Sequence, residues 1–311
     1  MLKTLPTAQP PSGQSPSAAD RPSPEKRRQT RNRFLVAMLL VAPFLLAYLI
    51  FLIYPTLRVF QLSFTNSDLN GIGGYNGFQN YLKLFSEPTF WTALRNTVYF
   101  IVLTAVPNTL LGLGLAMLVL RLRRLRNFVL AAFFLPYVLP VSVVTNVWNW
   151  VLDSNFGLLN TLTGSSITWF QDPNWALPAV AFVTIWWTVG FNILLFIAGL
   201  QSISPEIYEA ASLDGASGGR LFWSITWPNL WPVTSLILLL QLIAQFKIFD
   251  QIYLLTGGGP FDKTLVMLLY SYREGFQQQH GGYASAIGVV LMLVILIVSA
   301  VQLRLTRGSR A

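Results

Sequence analysis

Two carboxylates, Glu209 and Asp214, stand out in a polar segment whose neighbouring residues are mostly small. The segment, residues 209–232, reads EAASLDGASGGRLFWSITWPNLWP and lies between two long apolar stretches. Alanines and glycines let another surface approach closely, and carboxylates offer that surface charged contacts. Pro228 and Pro232 predict that the chain turns back there towards the next apolar stretch. The pattern therefore predicts a docking surface before a catalytic site.

A second group of polar residues interrupts the apolar stretches themselves. Polar side chains inside a membrane span are costly, and they usually face the bundle interior or a watery cavity. Amide, hydroxyl and indole groups suit a sugar, because they hydrogen-bond its hydroxyls and cover the apolar face of its ring. The predicted lining of a substrate path is Asn149, Trp187, Asn192, Gln241, Gln245 and Tyr253. The alternative for each is pairing between helices or anchoring at the interface.

Two charged residues, Lys247 and Asp250, lie three positions apart near the end of the fifth apolar stretch. On one continuous helix this spacing puts both side chains on the same face, where they neutralise each other. We therefore expect a structural ion pair near an outer gate.

No catalytic or metal-binding residues are predicted. The single histidine, His280, lies in a Gln-rich loop without a second type of ligand nearby, so an acid, base or metal set is not indicated. The glycines at 257–259 are followed by Pro260 and lack the Lys-Ser/Thr of a phosphate-binding loop. The sequence therefore predicts a protein that is not an enzyme and binds no cofactor itself.

The elements that must position these residues are membrane spans. The chain is 53% hydrophobic and only 11% charged, with a mean hydropathy of +0.53, whereas charged residues make up about a quarter of soluble domains. Six apolar stretches are long enough to cross a hydrocarbon core. They are predicted at 34–56, 94–120, 128–152, 175–200, 231–249 and 284–303. Pro107, Pro136, Pro140 and Pro178 fall within them and predict bent helices around a cavity.

The basic residues fix an orientation for these spans. Fifteen of the 21 Lys and Arg residues lie in the two termini and the loops on their side, and four lie in the opposite loops. By the positive-inside rule both termini and the 201–230 loop are cytoplasmic. The basic residues that give the net charge of +9 flank the spans. The charge therefore does not indicate a nucleic-acid partner. We expect a disordered basic tail at 1–33, a six-helix domain at 34–306 and a short tail at 307–311.

The 201–230 loop is predicted to form two short helices. Ser204 can cap the first, Pro205 suits its first position, and Glu206 and Glu209 favour its N-terminal turn. Asp214-Gly215 then ends it, and 217–227 offers a second amphipathic turn. We therefore expect a helix-turn-helix lying across the cytoplasmic face.

This loop resembles the EAA motif of permease subunits of binding-protein-dependent ABC importers. The matching residues are Glu209, Ala210, Ala211, Asp214, Gly215, Ala216, Ile225 and Pro228. Trp227 departs from the motif, in which a Leu commonly precedes the proline. The segments LPYVLP at 135–140, FDQIYLLTGGGP at 249–260 and GYASAIGVVL at 282–291 look like those of sugar permeases related to the maltose and glycerol-phosphate systems.

The resemblance covers residues 34–306 and implies the type I importer permease fold, all α-helical with six spans and a cytoplasmic coupling helix. In that family the EAA loop sits in a cleft of an ATPase subunit. The first six matching residues become candidates for this contact, with Glu209 facing a basic ATPase residue and Gly215 making the turn. The family also implies a heterodimer with a second permease subunit, two ATPase subunits that bind ATP and Mg, and an extracytoplasmic solute-binding protein.

The predicted function is a multi-pass permease of a prokaryotic plasma membrane that carries a sugar or oligosaccharide. An ABC permease for a polyol, glycerol phosphate, an amino acid or another solute would share the motif. A proton-coupled secondary transporter is a further alternative, but it usually has more spans or an internal repeat, and the docking loop would have no purpose.

Overall fold

The computed structural model describes residues 24–122 and 124–308. These residues form helices joined by short connections, with one isolated antiparallel bridge between Thr65 and Tyr75. The helices are α1 Pro24–Tyr48, α2 Tyr54–Leu62, α3 Gln79–Ser86, α4 Pro88–Arg121, α5 Arg126–Val138, α6 Val141–Val151, α7 Leu158–Thr163, α8 Ala176–Gln201, α9 Pro205–Leu213, α10 Gly218–Leu221, α11 Trp227–Phe246, α12 Asp250–Leu255, α13 Met267–Tyr272 and α14 Gly281–Gly308. Three π-helical segments join consecutive helices, Leu49–Ile53, Phe222–Thr226 and Arg273–Gln277.

The described residues contain six spans when one bent helix pair counts as a single span, so the predicted all-α fold with six membrane helices is confirmed. Five continuous stretches are long and apolar enough, and the bent pair is α5 with α6. The five stretches are Val36–Leu62, Pro88–Arg121, Ala176–Gln201, Gly218–Phe246 and Gly281–Thr306.

The ends of the spans differ from the predicted bounds. Residues 1–23 of the expected N-terminal tail lie outside the described residues, and α1 already begins at Pro24, ten residues before the expected start. At the other end α14 continues to Gly308, and 309–311 are not described. Arginines and polar residues therefore extend both terminal helices beyond their apolar parts, because backbone hydrogen bonding does not need an apolar side chain.

The third span is bent at its prolines, as predicted, and the bend is sharp enough to divide it into two helices. α5 and α6 meet at an angle of 101° across Leu139 and Pro140. Pro136 and Pro140 are four residues apart, so the ring of Pro140 clashes with the carbonyl of Pro136 and its nitrogen cannot donate. The indole N–H of Trp187 donates to the carbonyl of Leu139 at 3.3 Å. Pro107, by contrast, lies within a continuous α4.

The chain divides into two units, one before Arg58 and one from Arg58 onwards. In the second unit α8 is the central helix, and α4, α5 and α11 pack against it. Glycines permit each contact. A Cβ at Gly112 would lie 2.9 Å from that of Asn192, one at Gly190 would overlap the backbone of Phe133, and one at Gly199 would press on Leu230. Small residues at helix contacts are the usual means of close packing in membranes.

Substituting Gly190 by Ala tests this packing. The new methyl would meet backbone atoms of Phe133, which cannot rotate away, so α5 must separate from α8 at a cost of about 1–3 kcal/mol. Thermal unfolding in detergent should show a clearly lower Tm. Gly114→Ala is the matched control, because nothing lies within 4 Å of its Cβ position and alanine favours a helix. Equal melting of the two variants would contradict the close approach of α5 to α8.

Candidate functional site

The docking hairpin, residues 205–221, contains α9 and α10 joined by a tight turn. Pro205 occupies the first turn of α9 as predicted, and Ser204 is the residue before it but makes no side-chain capping bond. Asp214 ends the helix, and Gly215 follows with φ +77°. The N–H of Ala216 donates to the carbonyl of Ala211 at 2.9 Å. The left-handed φ at Gly215 is the reason that a glycine is needed in this turn.

Most of the predicted coupling residues point away from the rest of the chain. Glu209, Ala210, Asp214 and Gly215 are exposed, Ala216 is half-buried, and Ala211 is buried. The hydroxyl of Tyr208 donates to that of Thr226 at 3.3 Å and ties α9 to the π-helical segment. One side of α9 therefore anchors the hairpin while the other presents carboxylates to a partner. Their role in coupling stays a prediction.

The sequence analysis missed Leu213 at the tip of this surface. Its side chain is 89% exposed and lies between Glu209 and the turn at Asp214-Gly215. Covering an exposed apolar side chain removes it from water, so Leu213 is a further candidate for the contact with a partner. The available signal was one large apolar residue within an otherwise small and polar segment.

The second arm of the hairpin differs from the predicted short helix. α10, the Phe222–Thr226 segment and α11 follow one another without a break, so Gly218–Phe246 is one span. Pro228 and Pro232 lie inside this helix and do not turn the chain back. The π-helical bonds just before Pro228 belong to the local adjustments by which membrane helices accommodate proline. The hairpin is consequently an extension of a membrane span.

Three of the predicted path residues form a chain of hydrogen bonds within the bundle. The Nε2 atom of Gln241 donates to Oδ1 of Asn192 at 3.0 Å, and Nε2 of Gln245 donates to Oε1 of Gln241 at 3.2 Å. One turn away Nδ2 of Asn108 donates to the hydroxyl of Thr188 at 2.8 Å. We call these five residues the amide layer. It joins α4, α8 and α11.

The amide layer separates two apolar clusters. Phe100, Val183 and Phe246 belong to the cluster on one side, and Leu113, Ile193 and Ile237 belong to that on the other. Asn192, Gln241 and Gln245 are only 1%, 7% and 3% exposed. Asn192 and Gln241 pair between α8 and α11, whereas Gln245 pairs with Gln241 on its own helix. A role of these three side chains in the substrate path stays a prediction.

The remaining path candidates are accessible. Asn149 and Trp187 are half-buried, and Tyr253 is 42% exposed. They come from α6, α8 and α12, and α12 packs against both other helices. Trp187 also binds the carbonyl at the α5–α6 break. The structure therefore brings these three elements together, and a role in solute passage remains a prediction for their side chains.

Aromatic rings continue from Tyr253. The rings of Phe249 and Tyr253 stack at 5.3 Å, and Tyr272 lies 5.4 Å from Tyr253 and 5.1 Å from Phe276. The hydrogen bond with Tyr253 raises the pKa of Tyr272, and burial raises that of Tyr270 well above its usual range. Both phenols are therefore neutral at physiological pH. Tyr270 is buried against Tyr283, and the cluster that contains Tyr253 and Tyr272 offers hydroxyls and ring faces instead of charge.

The expected ion pair between Lys247 and Asp250 is not formed. α11 ends at Phe246 and α12 starts at Asp250, so the two residues are not on one helix. Both are exposed. The ion pairs in the described part of the chain join Arg273 to Asp262 at 2.7 Å and His280 to Glu274 at 2.9 Å. The prediction of this ion pair was wrong because residues three positions apart share a helix face only where the helix continues through both of them.

The chain matches the family of binding-protein-dependent transport system inner membrane components over residues 108–311. It is 34% identical to the sulfoquinovosyl glycerol transport system permease protein of Agrobacterium fabrum, covering 88% of this chain and 91% of that protein. It is also 34% identical to the arabinooligosaccharides transport system permease protein of Bacillus subtilis, covering 86% and 87%.

The fold matches a solved structure as well. A chain of a bacterial alginate ABC transporter, crystallised in complex with a periplasmic protein carrying an alginate pentasaccharide, superposes with a TM-score of 0.78. The two chains are 26% identical, and the match covers 90% of this chain and 96% of the other. The predicted type I permease fold is therefore confirmed.

Replacing Gln241 by Leu tests the amide layer. The substitution leaves Oδ1 of Asn192 without its donor and Nε2 of Gln245 without its acceptor. Hydrogen bonds between membrane helices contribute about 0.6–2 kcal/mol, so the Tm in detergent should fall. In a double-mutant cycle with Asn192→Leu the two losses should be less than additive.

Uptake measurements on the same variants separate structure from transport. If Gln241 acts only through packing, uptake should fall in proportion to the amount of folded protein. Loss of uptake at an unchanged Tm would instead assign the amide to the substrate path.

Substituting Gly215 by Ala tests the turn of the docking hairpin. A side chain at φ +77° costs about 1–2 kcal/mol, so hydrogen exchange of the amides at 209–216 should accelerate roughly tenfold. Gly219→Ala is the control, since its Cβ would be in open space and its φ is not positive. Equal protection in both variants would show that the turn does not depend on the left-handed glycine.

Proposed function

Because this chain belongs to the family of inner membrane components of binding-protein-dependent transport systems, we propose that it forms half of the translocation path for a sugar or oligosaccharide. The energy comes from ATP hydrolysis by partner subunits. The chain itself is a multi-pass membrane permease. The relatives named above carry a sulfonated glycoside and arabinose oligomers by their descriptions, and the solved neighbour imports alginate. A glycoside is the substrate class that these proteins share.

The observation that carries this proposal is the docking hairpin. It holds Glu209, Leu213 and Asp214 exposed at the end of α8, on a turn fixed by Gly215. Each arm leads to a helix of the amide layer. α9 is connected to α8 by a short segment that includes Ser202 and Ile203, and α10 continues into α11. A partner that moves the hairpin therefore moves two helices of the bundle. We assign this partner as an ATPase subunit, which binds ATP and Mg outside this chain.

The first span supports a second permease subunit and lipid as partners. The most apolar window of Val36–Leu62 contains no buried residue, although its mean hydropathy is 2.8. Side chains such as Phe44 and Phe51 are exposed. A helix with so many exposed apolar side chains needs a hydrocarbon environment or a partner's helices around it. The family makes a heterodimer the favoured assembly.

A solute-binding protein completes the proposed importer on the side opposite the docking hairpin. The solved neighbour was crystallised with its periplasmic protein. The aromatic cluster of Phe249, Tyr253 and Tyr272 lies beyond the end of α11 that is remote from the hairpin. It offers ring faces to a sugar that has left such a protein. With the termini cytoplasmic, as the positive charges favour, this end faces outwards.

Glu209→Ala tests the proposed coupling. Leaving a basic ATPase residue without its partner costs roughly 2–5 kcal/mol, so the stimulation of ATPase activity by the loaded binding protein should fall at least about tenfold. The measurement uses the complete transporter in proteoliposomes. Glu206→Ala is the matched control, because Glu206 is also an exposed carboxylate of α9 but lies in its first turn, away from the tip.

Wild-type stimulation in the Glu209→Ala transporter would reject the coupling role. Equal losses in both variants would show that the overall negative charge of α9 matters and that the position of Glu209 does not. Basal assembly is checked by the amount of ATPase subunit that co-purifies with each variant.

A further inference from the structure

A cavity of about 320 Å³ lined by two basic side chains lies between the N-terminal ends of α4 and α8, remote from the docking hairpin. The segment that follows α12 closes it. Its lining is Arg95, Asn96, Tyr99, Pro173, Asn174, Leu177, Pro178 and Lys263. These residues belong neither to the amide layer nor to the hairpin, so the cavity needs an explanation of its own.

Two positive charges in the cavity have no counterion. Arg95 and Lys263 are exposed, and neither takes part in the ion pairs of residues 24–122 and 124–308. Of the nearby carboxylates, Asp262 is paired with Arg273 at 2.7 Å. Asp172 accepts only the neutral backbone N–H of Asn174, at 2.7 Å, and keeps its charge. Two positive charges against one negative charge leave the cavity a net positive potential that suits an anion.

Backbone contacts hold the two charges near each other. The Nδ2 atom of Asn96 donates to the carbonyls of Asp262 and Leu265 at 2.9 and 3.0 Å. The backbone N–H of Met267 donates to the hydroxyl of Thr97 at 3.0 Å. Lys263 thus lies on a segment that is fastened to the turn of α4 that carries Arg95. The pair is arranged before any ligand binds, which lowers the entropic cost of binding.

An apolar stripe continues from the cavity along α4. Val98, Tyr99, Val102 and Val106 follow Arg95 at helical spacing, and all four are exposed. The stripe belongs to the membrane span Pro88–Arg121. A cationic pocket at the end of a span with exposed apolar side chains below it matches the two parts of a phospholipid, an anionic headgroup and its acyl chains.

We propose that this cavity binds an anionic phospholipid, whose phosphate lies between Arg95 and Lys263 while an acyl chain covers the stripe from Val98 to Val106. The net positive charge favours an anionic lipid over a zwitterionic one, because a zwitterionic headgroup brings its own cation. The stripe favours a lipid over a soluble anion, which would leave these side chains uncovered. Bound here, the lipid joins α4 to the outer segment at 262–265.

Native mass spectrometry of the full chain in detergent, titrated with phosphatidylglycerol, tests this site. Each cation near an anionic lipid contributes about fivefold to affinity, so Arg95→Gln/Lys263→Gln should weaken phosphatidylglycerol binding about thirtyfold. Arg95→Lys keeps the charge and should bind nearly as the wild type does. Arg58→Gln is the matched control, because this exposed arginine contacts Gln61 at 2.7 Å and does not line the cavity.

Three results would overturn the proposal. The first is wild-type affinity in the double variant, and the second is equal binding of phosphatidylcholine and phosphatidylglycerol by the wild type. The third is displacement of phosphatidylglycerol by an equal concentration of soluble glycerol phosphate, which would make the cavity a site for a free anion. If adding the second permease subunit expelled the lipid, that subunit would be the occupant.

Discussion

Amide hydrogen bonds between helices organise the second unit of the chain, although Oδ1 of Asn108 and Nδ2 of Asn192 are buried without a hydrogen-bond partner among the described residues. Asn192 on α8 and Gln241 on α11 meet at 3.0 Å, and Asn108 on α4 reaches Thr188 one turn away. A shift of any of these helices by one residue would separate the amides. The glycines at 112 and 199 bring the backbones close enough for the bonds to form. The register of the helices and the distance between them are therefore set together. The two apolar clusters pack on either side of the amide layer.

The same layer connects the interior to the docking hairpin. Because Gly218–Phe246 is continuous, the helix that starts in the hairpin is the one that carries Gln241 and Gln245. A displacement of α10 thus reaches the amide layer along one continuous helix, whereas Leu213 on α9 is separated from that helix by the turn at 214–217. The two states required for transport would then differ in how α8 and α11 meet, which is a discrete choice because amide pairs are either made or broken.

Composition and periodicity were sufficient for the spans, because an apolar stretch of about 20 residues has one stable environment. The docking loop was also identifiable, since its residue types and spacing are specific. Three features depended on the backbone and were not accessible in this way. Lys247 and Asp250 lost their pairing because a helix ends between them, Pro228 stayed inside a helix, and Pro140 broke a span while Pro107 did not. In each case the outcome depends on where a helix ends or continues, which residue types and spacing alone do not specify.

The sharp break between α5 and α6 places an irregular piece of backbone inside a span. α5 has 13 residues and α6 has 11, so α5 alone reaches about 20 Å, whereas the hydrocarbon core is about 30 Å thick. Irregular backbone within a membrane is tolerated where the surrounding protein or cavity water satisfies its polar groups. The indole of Trp187 does this for the carbonyl of Leu139, so the broken span depends on its contact with α8.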